Sequence, residues 1–482
     1  MIDLRPVGYV VGITIAALGA AMLVPMLADL QAGSSSWRAF LQSALATLTC
    51  GGLIALSCQG GSAPGVSPRL ALVLAAAVFG LVPLFGALPF VLGAPRMGLL
   101  DAYFDAVSGI TTTGSTQLTA LETLPAGIQL WRGMLGWFGG LAFVALALIF
   151  QPQMRVGGMS FFRAVTRDGS GRILPRVVTS ARQLALLYGV LTALCALTYL
   201  GLGMVPLDAA VHAMATLSGS GVSTSDQSFG GLSPALHLAA VLFMLLASLP
   251  YVRLAQALNR HPGALARDPQ VRAYLLWVLL ALVLVLAYRL ATIGPDGRAP
   301  LVLALFNVVS AFSGTGFRSG DFASWGPFVL MVVVVVGILG GCTGSTSSGL
   351  GMFRVLMLRS VIRAQVARIQ LPHRVAPVRY DDRAVDDEVI DQVLLYVGGY
   401  FAALIGLSIL LSMTGIPSAR AVLMVWSSLG NIGGFFGPGL APGAAMADLT
   451  PAAKLLLILA MVVGRLGLTG VLMLLSRRFW RD

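Results

Sequence analysis

The sequence predicts an all-α polytopic membrane protein: four pseudo-symmetric helix–pore loop–helix repeats surround one central pore, and two amino-terminal helices precede them. The composition indicates the membrane, because 57% of the residues are hydrophobic, 10% are charged and the mean hydropathy is +0.88. Such a chain has too little polar surface for a soluble globule. Apolar stretches long enough to cross a bilayer recur, among them 234–257 and 450–476. Four Ser/Thr-rich strips that end in glycine, about 100 residues apart, indicate the repeats.

The order of the apolar stretches predicts where each part begins and ends. The amino-terminal pair of helices occupies 1–60, repeats one to four occupy 69–150, 183–258, 271–370 and 389–478, and repeat three contains an intramembrane loop at 337–351. Each repeat is expected to hold one crossing helix, a loop that re-enters the membrane and a second helix.

Four apolar segments are too short to cross the bilayer. They occupy 101–113, 207–219, 300–313 and 417–430. As helices they measure about 20 Å, against a hydrocarbon core of about 30 Å. We expect them to enter the membrane and turn back as pore helices. The alternative is a set of interfacial helices on the outer surface, and the glycine-bearing polar strip that ends all four segments argues against it.

The strips after these segments have the composition of an ion filter. We expect their last glycines (Gly114, Gly221, Gly316 and Gly433) to adopt positive φ values, which let backbone carbonyl groups face an ion. The neighbouring Ser and Thr hydroxyls would satisfy backbone groups in a water-poor site. No strip contains Asp or Glu, which favours a monovalent over a divalent cation.

The four repeats carry different residues at the position nine places before these glycines. The aligned residues are Asp105, His212, Asn307 and Met424. The four repeats therefore share a layout but not their detailed chemistry. His212 is expected to be a hydrogen-bonded packing residue, and with four His in the chain and no ligand spacing the sequence predicts no metal site.

Arginine distribution predicts the orientation. Arginines cluster in 151–183, 253–272, 354–383 and the carboxyl-terminal tail, so these segments and both termini are expected to be cytoplasmic. The pore loops then enter from outside. There the residues Asp101, Asp105, Asp208, Asp226, Asp296, Asp321 and Asp448 predict an acidic mouth. The net charge of +12 reflects this topology and a surface for anionic lipid or an acidic partner; no nucleic-acid partner is predicted.

The loop 337–351 is the second informative segment. It holds six Gly and five Ser or Thr about 18 Å into the bilayer, where irregular backbone is tolerated only inside protein or a water-filled cavity. A surface of small residues for close helix packing is the alternative. Arg465, deep in the last helix, is expected to bond to carbonyls or hydroxyls of this loop. Lys454 is expected to extend to the outer face.

Several motifs together resemble the TrkH/TrkG branch of the bacterial Trk/Ktr potassium-uptake proteins. They are Gly86-Ala-Leu-Pro-Phe90, Ser108-Gly-Ile-Thr-Thr-Thr-Gly-Ser115, Trp137-Phe-Gly-Gly140, Val156-Gly-Gly-Met159 and Gly340-Gly-Cys-Thr-Gly-Ser-Thr346. The resemblance covers essentially the whole chain. It implies a channel-like protein of the bacterial inner membrane that transports K+, binds no cofactor itself, forms a homodimer and is regulated by a cytoplasmic, nucleotide-binding TrkA-type ring.

The resemblance also implies which residues form the filter. They are Thr111, Thr112, Thr113, Gly114 and Ser115 in strip one, Ser218, Gly219, Ser220, Gly221 and Val222 in strip two, Ser313, Gly314, Thr315, Gly316 and Phe317 in strip three, and Gly430, Asn431, Ile432, Gly433 and Gly434 in strip four. The K+ ligands implied among them are Thr112, Thr113, Ser220, Gly221, Thr315, Gly316, Ile432 and Gly433. No strip has the full TVGYG run of tetrameric K+ channels, which predicts looser selection.

By the same resemblance, the intramembrane loop is a gate beneath the filter. The implied gate residues are Gly340, Gly341, Cys342, Thr343, Gly344, Ser345, Thr346 and Arg465. The acidic residue that usually follows the family's arginine by two places is Gly467 here, so Arg465 is predicted to act as a cationic barrier without a local ion pair.

Two other function classes, a coupled transporter and a membrane enzyme, are alternatives. A K+ symporter of the Ktr type, coupled to Na+ or H+, would share most of these motifs, whereas an inverted-repeat transporter would carry midplane carboxylates that the inner segments lack. A polytopic membrane enzyme would need clustered acidic residues or His at one face beside a sizeable soluble loop. The sequence therefore predicts a transport protein and not an enzyme.

Overall fold

The computed structural model describes residues 3–60, 68–150, 173–258, 263–293, 301–320, 325–370, 377–381, 383–433 and 446–481. Helices dominate these residues, which confirms the predicted all-α class. In the same residues one short hairpin is found, where Arg379–Tyr380 pairs antiparallel with Arg383–Ala384.

Three amino-terminal helices form a hairpin that packs against the first repeat. They span Arg5–Ala21, Leu23–Gln31 and Trp37–Ser57. The two long helices approach closely because small residues face each other: a Cβ placed on Gly12 would lie 2.5 Å from the Ala55 backbone nitrogen. The ring of Phe40 packs edge-on against Trp131 of repeat one at 6.3 Å, so the hairpin and the repeat share one apolar core.

The four repeats follow as outer helix, pore helix and inner helix. Repeat one contains Pro68–Gly80, Val82–Gly86, Leu88–Leu92, Leu99–Ile110 and Ala126–Phe150, with a 3-10 turn at Leu121–Thr123. Repeat two contains Ile173–Gly201, Pro206–Ser218, Pro234–Ala247 and Tyr251–Leu258, followed by Gly263–Ala266. Repeat three contains Pro269–Ile293, Leu301–Ser313, Pro327–Leu339 and Met352–Gln370. Repeat four contains Asp387–Ser412, Ser418–Leu429, the 3-10 turn Met446–Asp448, Pro451–Leu466, Leu468–Leu475 and Arg477–Arg481.

The short pore helices are Leu99–Ile110, Pro206–Ser218, Leu301–Ser313 and Ser418–Leu429. With 12 or 13 residues each, they are too short to span the membrane, as the sequence predicts. Their carboxyl-terminal halves are buried almost completely. A position so deep inside the protein is incompatible with interfacial helices on the outer surface.

Inner helices two, three and four break inside the membrane. The apolar stretches 234–257 and 450–476 are each long enough to cross a bilayer, but the structure bends them by 101° and 104°. Pro250 cannot continue the hydrogen-bond ladder of the first, and Gly467 has a φ of 75° at the second break. Helix Pro327–Leu339 likewise ends at Gly340, with a φ of 68°. Among the described residues, six helices are long and apolar enough to cross a membrane, and the two bent pairs would add two.

Candidate ion-conduction pathway

In each filter strip the second residue lies in the left-handed backbone region. These residues are Thr112 at φ 53°, Gly219 at 71°, Gly314 at 79° and Asn431 at 49°. The last glycine of strips one to three is left-handed as well: Gly114 at 80°, Gly221 at 61° and Gly316 at 79°. Gly433 is not among the positive-φ residues, so the conformational prediction is confirmed at three glycines and wrong at the fourth. The repeated turn re-aims the backbone immediately after each pore helix.

Close approach between strips explains why the last residue is glycine in strip four too. A Cβ on Gly114 would collide with the Ser220 carbonyl oxygen of strip two, and a Cβ on Gly221 with the Thr315 carbonyl oxygen of strip three. Gly433 meets the Thr113 carbonyl oxygen of strip one in the same way. These three contacts place the strips in the order four, one, two, three, and Gly337 of repeat three lies against the Ile432 side chain of strip four, which closes the order into a ring. The backbones therefore surround a common axis.

Hydroxyl pairs stabilise the first three strips. The hydroxyls of Thr111 and Thr113 are 2.8 Å apart, those of Ser313 and Thr315 are also 2.8 Å apart, and Ser218 pairs with Ser220 at 2.9 Å. Strip four has Gly430 and Ile432 at the corresponding positions and lacks this pair.

Strip four is held by strip one instead. The Asn431 amide donates to the Thr113 hydroxyl at 2.9 Å, and the Gly433 N–H donates to the Thr113 carbonyl at 2.7 Å. Ser115 donates to the Gly433 carbonyl at 3.4 Å. Strips one and four therefore form a directly bonded pair within the ring.

The remaining predicted filter residues have different places. Val222 and Phe317 are buried, and the Phe317 ring packs at 4.7 Å from Phe229, so its side chain contributes to the core behind the filter. Gly434 lies outside the described residues.

Asp105, His212 and Asn307 occupy equivalent positions in the first three pore helices. They have a shared role that the sequence did not reveal. The side chain of each residue forms a hydrogen bond with the segment that follows the filter strip of its own repeat, and so joins that segment to the pore helix. Asp105 accepts from the Gln117 N–H at 3.0 Å, and Asn307 accepts from the Ser319 N–H at 3.1 Å. His212 places Nε2 3.1 Å from the Ser223 hydroxyl. His212 is thus a buried packing residue, as predicted, and the described residues contain no group of three or more metal-ligand side chains.

The acidic mouth stays a prediction, because Asp296 and Asp321 lie outside the described residues, but the described residues enclose a space beside strips one, two and four. This space of about 160 Å³ is lined by Arg132, Arg318 and Asp226 together with strip residues. The Asp226 carboxylate accepts from the Ala120 N–H at 3.0 Å. Arg132 is 5% exposed and donates to the Ser223 carbonyl at 3.1 Å. The charges of this region therefore stabilise its loops.

Glu122 joins two of these loops. Its carboxylate accepts from the Ser225 hydroxyl at 2.6 Å and from the Asp226 N–H at 2.9 Å. The Ser225 bond is the main reason that the pKa of Glu122 lies below its usual value. The carboxylate is therefore charged at neutral pH. In this form it accepts the hydrogen bonds that connect the loop after strip one to the loop after strip two.

The intramembrane loop of repeat three is irregular from Gly340 to Gly351, between helices that end at Leu339 and begin at Met352. Four of its glycines (Gly340, Gly344, Gly349 and Gly351) have positive φ values. The alternative of a helical small-residue packing surface is therefore wrong.

This loop lies directly against the filter strips. The Thr346 hydroxyl lies 2.9 Å from the Leu217 carbonyl, immediately before strip two, and Ser348 donates to the Asn431 carbonyl of strip four at 3.3 Å. Thr343 donates its N–H to the Gln270 side chain at 3.0 Å. The Cys342 N–H donates to the Ser248 carbonyl at 3.1 Å, at the break of inner helix two.

The other loop residues complete its internal and neighbouring contacts. The Gly344 carbonyl accepts from the Tyr251 N–H at 3.0 Å, the Gly341 carbonyl accepts from the Met352 N–H at 2.8 Å, and Ser345 donates to the Cys342 carbonyl at 2.6 Å. The breaks of inner helices two and three are thus bonded to each other.

A cavity of about 360 Å³ adjoins the loop. Loop residues including Ser345 and Ser348 line it together with Phe79, Phe143 and Arg465. The cavity therefore joins the polar loop, Arg465 and apolar side chains of repeat one.

Arg465 contacts the filter and not the loop. Its Nε donates to the Thr111 carbonyl at 2.7 Å, and its guanidinium also bonds to the Thr112 hydroxyl. The charge lies 4.5 Å from the centre of the Phe143 ring. The prediction that this arginine bonds to loop carbonyls or hydroxyls is therefore wrong. Helix Pro451–Leu466 ends just after Arg465, and the bend at Gly467 leaves the side chain beside strip one.

Lys454 is paired near the outer end of the same helix. Its Nζ lies 2.5 Å from the Asp101 carboxylate at the start of the first pore helix, and Lys454 is 7% exposed. Lys454 is therefore buried against Asp101, and its extension towards the outer face stays a prediction.

The helical fold, with four glycine-bearing strips that follow short buried helices, is that of an all-α polytopic membrane protein. The chain belongs to the TrkH family of cation transport proteins, since the family model, described as "Cation transport protein", matches residues 71–481. It is accordingly a transport protein and not an enzyme.

Its relatives agree with this assignment. The chain is 36% identical to the Trk system potassium uptake protein TrkI of Halomonas elongata, over 83% of this chain and 81% of the relative. It is 31% identical to the Trk system potassium uptake protein TrkH of Salmonella typhimurium, over 99% of both chains. The crystal structure of the potassium transporter TrkH from Vibrio parahaemolyticus superposes with a TM-score of 0.90, at 28% identity, and the match covers 100% of both chains.

Proposed function

We propose that this chain carries K+ into a bacterial cell, down the electrochemical gradient of the ion, through a pore with a filter of backbone carbonyl groups. The observation that carries the proposal is the cyclic contact between strips, in which Gly114, Gly221 and Gly433 each lie against a carbonyl of the neighbouring strip. Carbonyl groups held around one axis can replace the hydration shell of a monovalent cation. Relatives named as potassium uptake proteins favour K+ as that cation.

The proposed ligands are backbone atoms of Thr112, Thr113, Ser220, Gly221, Thr315, Gly316, Ile432 and Gly433. Their support comes from the repeated left-handed turn and from the burial of the strips. Rb+ is expected to pass with K+, and Na+ to be partly excluded.

The loop from Gly340 to Gly351 is the proposed gate. It bonds to the base of strip two through Thr346 and to strip four through Ser348, so a rearrangement of the loop would alter the path immediately below the filter. A cytoplasmic nucleotide-binding ring and a second copy of the chain are the proposed partners. The proposed location is the bacterial inner membrane, with both termini in the cytoplasm.

Complementation tests the proposal. The gene is expressed in a bacterium that lacks K+ uptake, with and without a TrkA-type regulatory subunit, and growth is measured at low K+. We expect rescue, which the partner enhances. Failure under both conditions, despite normal amounts of the protein in the membrane, would overturn the proposal.

Reconstitution separates passive conduction from coupled transport. Purified protein in liposomes should take up Rb+ when neither a Na+ gradient nor a pH gradient is imposed. Uptake that requires one of these gradients would instead identify a Na+- or H+-coupled symporter.

A further inference from the structure

A groove between the first helix of repeat three and the helix that follows the gate loop has a basic end and an apolar end. It measures about 800 Å³ and lies between Pro269–Ile293 and Met352–Gln370. Its lining residues are Arg267, Arg272, Arg359 and Arg379 at one end and Leu276, Trp277, Leu280, Val355 and Leu356 at the other, with Asp381 as the acidic member. This division of polar and apolar residues matches an amphiphile rather than a soluble ion.

Helix direction places the charges towards the predicted cytoplasmic end of each helix. Arg272 precedes Leu276 by one turn in a helix that runs into the membrane, and Arg359 follows Val355 by one turn in a helix that leaves the gate loop. On each helix the lining arginine is thus one turn closer than the apolar lining residue to the end predicted to be cytoplasmic. A tryptophan near this boundary, Trp277, is typical of the lipid interface.

The charges in the groove lack acidic partners. Arg267, Arg272, Arg359 and Arg379 are exposed, and within the described parts of the chain none of them forms an ion pair. Arg272 does donate to the Ala266 carbonyl at 2.8 Å, which fixes its Nε but leaves its charge uncompensated. Four positive charges against one nearby aspartate favour an anionic ligand.

The apolar end opens towards the bilayer. Leu276 is 64% exposed and Leu280 is 44% exposed, on a helix whose apolar composition identifies it as a membrane span. A ligand here would contact lipid tails along its length. Basic pockets of this kind between membrane helices hold the head groups of anionic lipids.

We infer that this groove binds an anionic phospholipid, whose phosphate-bearing head group lies among the four arginines and whose acyl chain lies along Leu276, Trp277 and Leu280. The site is connected to the gate loop, because the neighbouring Gln270 side chain accepts the Thr343 N–H at 3.0 Å. The ligand would therefore stabilise the wall that supports this loop.

Quenching of Trp277 fluorescence measures occupancy. The full-length protein is reconstituted in phosphatidylcholine vesicles that contain increasing fractions of brominated phosphatidylglycerol or, separately, brominated phosphatidylcholine. The chain has seven Trp, so the signal of a Trp277→Phe variant is subtracted. We expect the anionic lipid to quench Trp277 at lower fractions than the zwitterionic lipid does.

A pair of charge-removing variants locates the head group. Arg359→Gln with Arg379→Gln should weaken the preference for phosphatidylglycerol about thirtyfold, which corresponds to about 2 kcal/mol for two arginines near the surface. The matched control, Arg363→Gln with Arg477→Gln, removes two exposed charges that do not line the groove. Its lipid preference should equal that of the unmodified protein.

Three results would overturn the inference. They are equal quenching by the two lipids, an unchanged preference in the groove variant, or an equal loss in the control variant. If the groove variant retained its lipid preference but lost binding to a purified cytoplasmic regulatory subunit, the arginines would serve an acidic protein surface instead.

Discussion

At the scale of single residues, the proposed filter requires glycine for two different physical reasons. Gly114 and Gly221 combine a left-handed φ with a neighbouring carbonyl so close that no Cβ fits. Gly433 requires glycine for close approach alone, since its φ is not positive. The sequence predicted these positions from their repetition, but it could not separate the two causes, because the second depends on a neighbouring strip.

Alanine at Gly221 should abolish uptake or reduce the ratio of K+ to Na+ uptake. The left-handed backbone would cost on the order of 1–3 kcal/mol with a side chain, and the added Cβ would displace the Thr315 carbonyl. Rb+ and Na+ uptake per folded protein checks this. Gly189→Ala is the matched control, because a Cβ at this helical glycine meets open space. Unchanged discrimination in Gly221→Ala would exclude the filter assignment at strip two.

His212 should affect selectivity from behind the filter. Substitution of His212 by Leu removes the contact between its Nε2 and the Ser223 hydroxyl, so the chain leaving strip two is held less firmly. We expect a lower ratio of K+ to Na+ uptake with near-normal folded yield. Met424→Leu, at the equivalent place in repeat four, changes no hydrogen bond and should leave the ratio unchanged. Equal ratios in both variants would contradict the role given to His212.

At the scale of elements, the bends of the inner helices determine which groups meet. The bend after Leu466 leaves Arg465 beside strip one, and the irregular segment from Gly340 lies against strips two and four. Composition and depth were sufficient to predict the irregular loop. They were insufficient for the partner of Arg465, because which carbonyl lies within reach depends on the packing of repeats one and four against each other. Pro250 was the local signal for the bend in inner helix two.

Arg465→Ala should change selectivity as well as total flux. The substitution removes a positive charge next to the pathway, which should increase partner-free Rb+ uptake. It also releases the Thr111 carbonyl and the Thr112 hydroxyl, which should lower the K+/Na+ ratio. Arg465→Lys keeps the positive charge but lacks the forked donor geometry of the guanidinium. Its Rb+ uptake should therefore be close to that of the unmodified protein, while its K+/Na+ ratio should stay lower. Increased flux with fully retained selectivity in the alanine variant would limit Arg465 to a barrier role.

Shortening the gate loop tests its role as a barrier. Deletion of about half of 337–351 should increase partner-free Rb+ uptake in liposomes while K+ remains preferred, because a steric constriction is removed. The Thr346→Val variant keeps the loop but removes the hydroxyl contacts with the Leu217 and Ala247 carbonyls. It should show a smaller increase in the same direction. A well-folded deletion variant with no increase would rule out the gate.

At the scale of the whole molecule, the four repeats form one ring but are bonded unequally. Strips one and four are directly hydrogen-bonded to each other, and the last helix pairs with the first pore helix through Lys454 and Asp101. The first and last repeats of the chain are therefore joined, and this closes the ring. The sequence predicted the pseudo-symmetry from the repeated strips. Closure depends on contacts between residues more than 300 positions apart, which no local pattern encodes.

The amino-terminal hairpin precedes the segment matched by the family model, yet it is bonded into the pore domain. Asp29, which is fully buried, accepts from the Gly127 N–H at 2.6 Å at the start of inner helix one. A carboxylate at a helix amino terminus satisfies a free N–H group and the positive end of the helix dipole. The contact therefore connects the hairpin to the helix that passes behind strips one and two.

Asp29→Ala should consequently destabilise the whole protein by on the order of 1–3 kcal/mol, because it leaves the buried Gly127 N–H without an acceptor. Asp29→Asn keeps an oxygen at this place and should cost less. The thermal unfolding midpoint in detergent, measured by tryptophan fluorescence, checks both. Asp3→Asn is the matched control, since Asp3 accepts from the Arg5 N–H at 3.0 Å at an exposed helix start. If the midpoint fell equally in Asp3→Asn and Asp29→Ala, or in neither, the hairpin would not be fixed to the pore by Asp29.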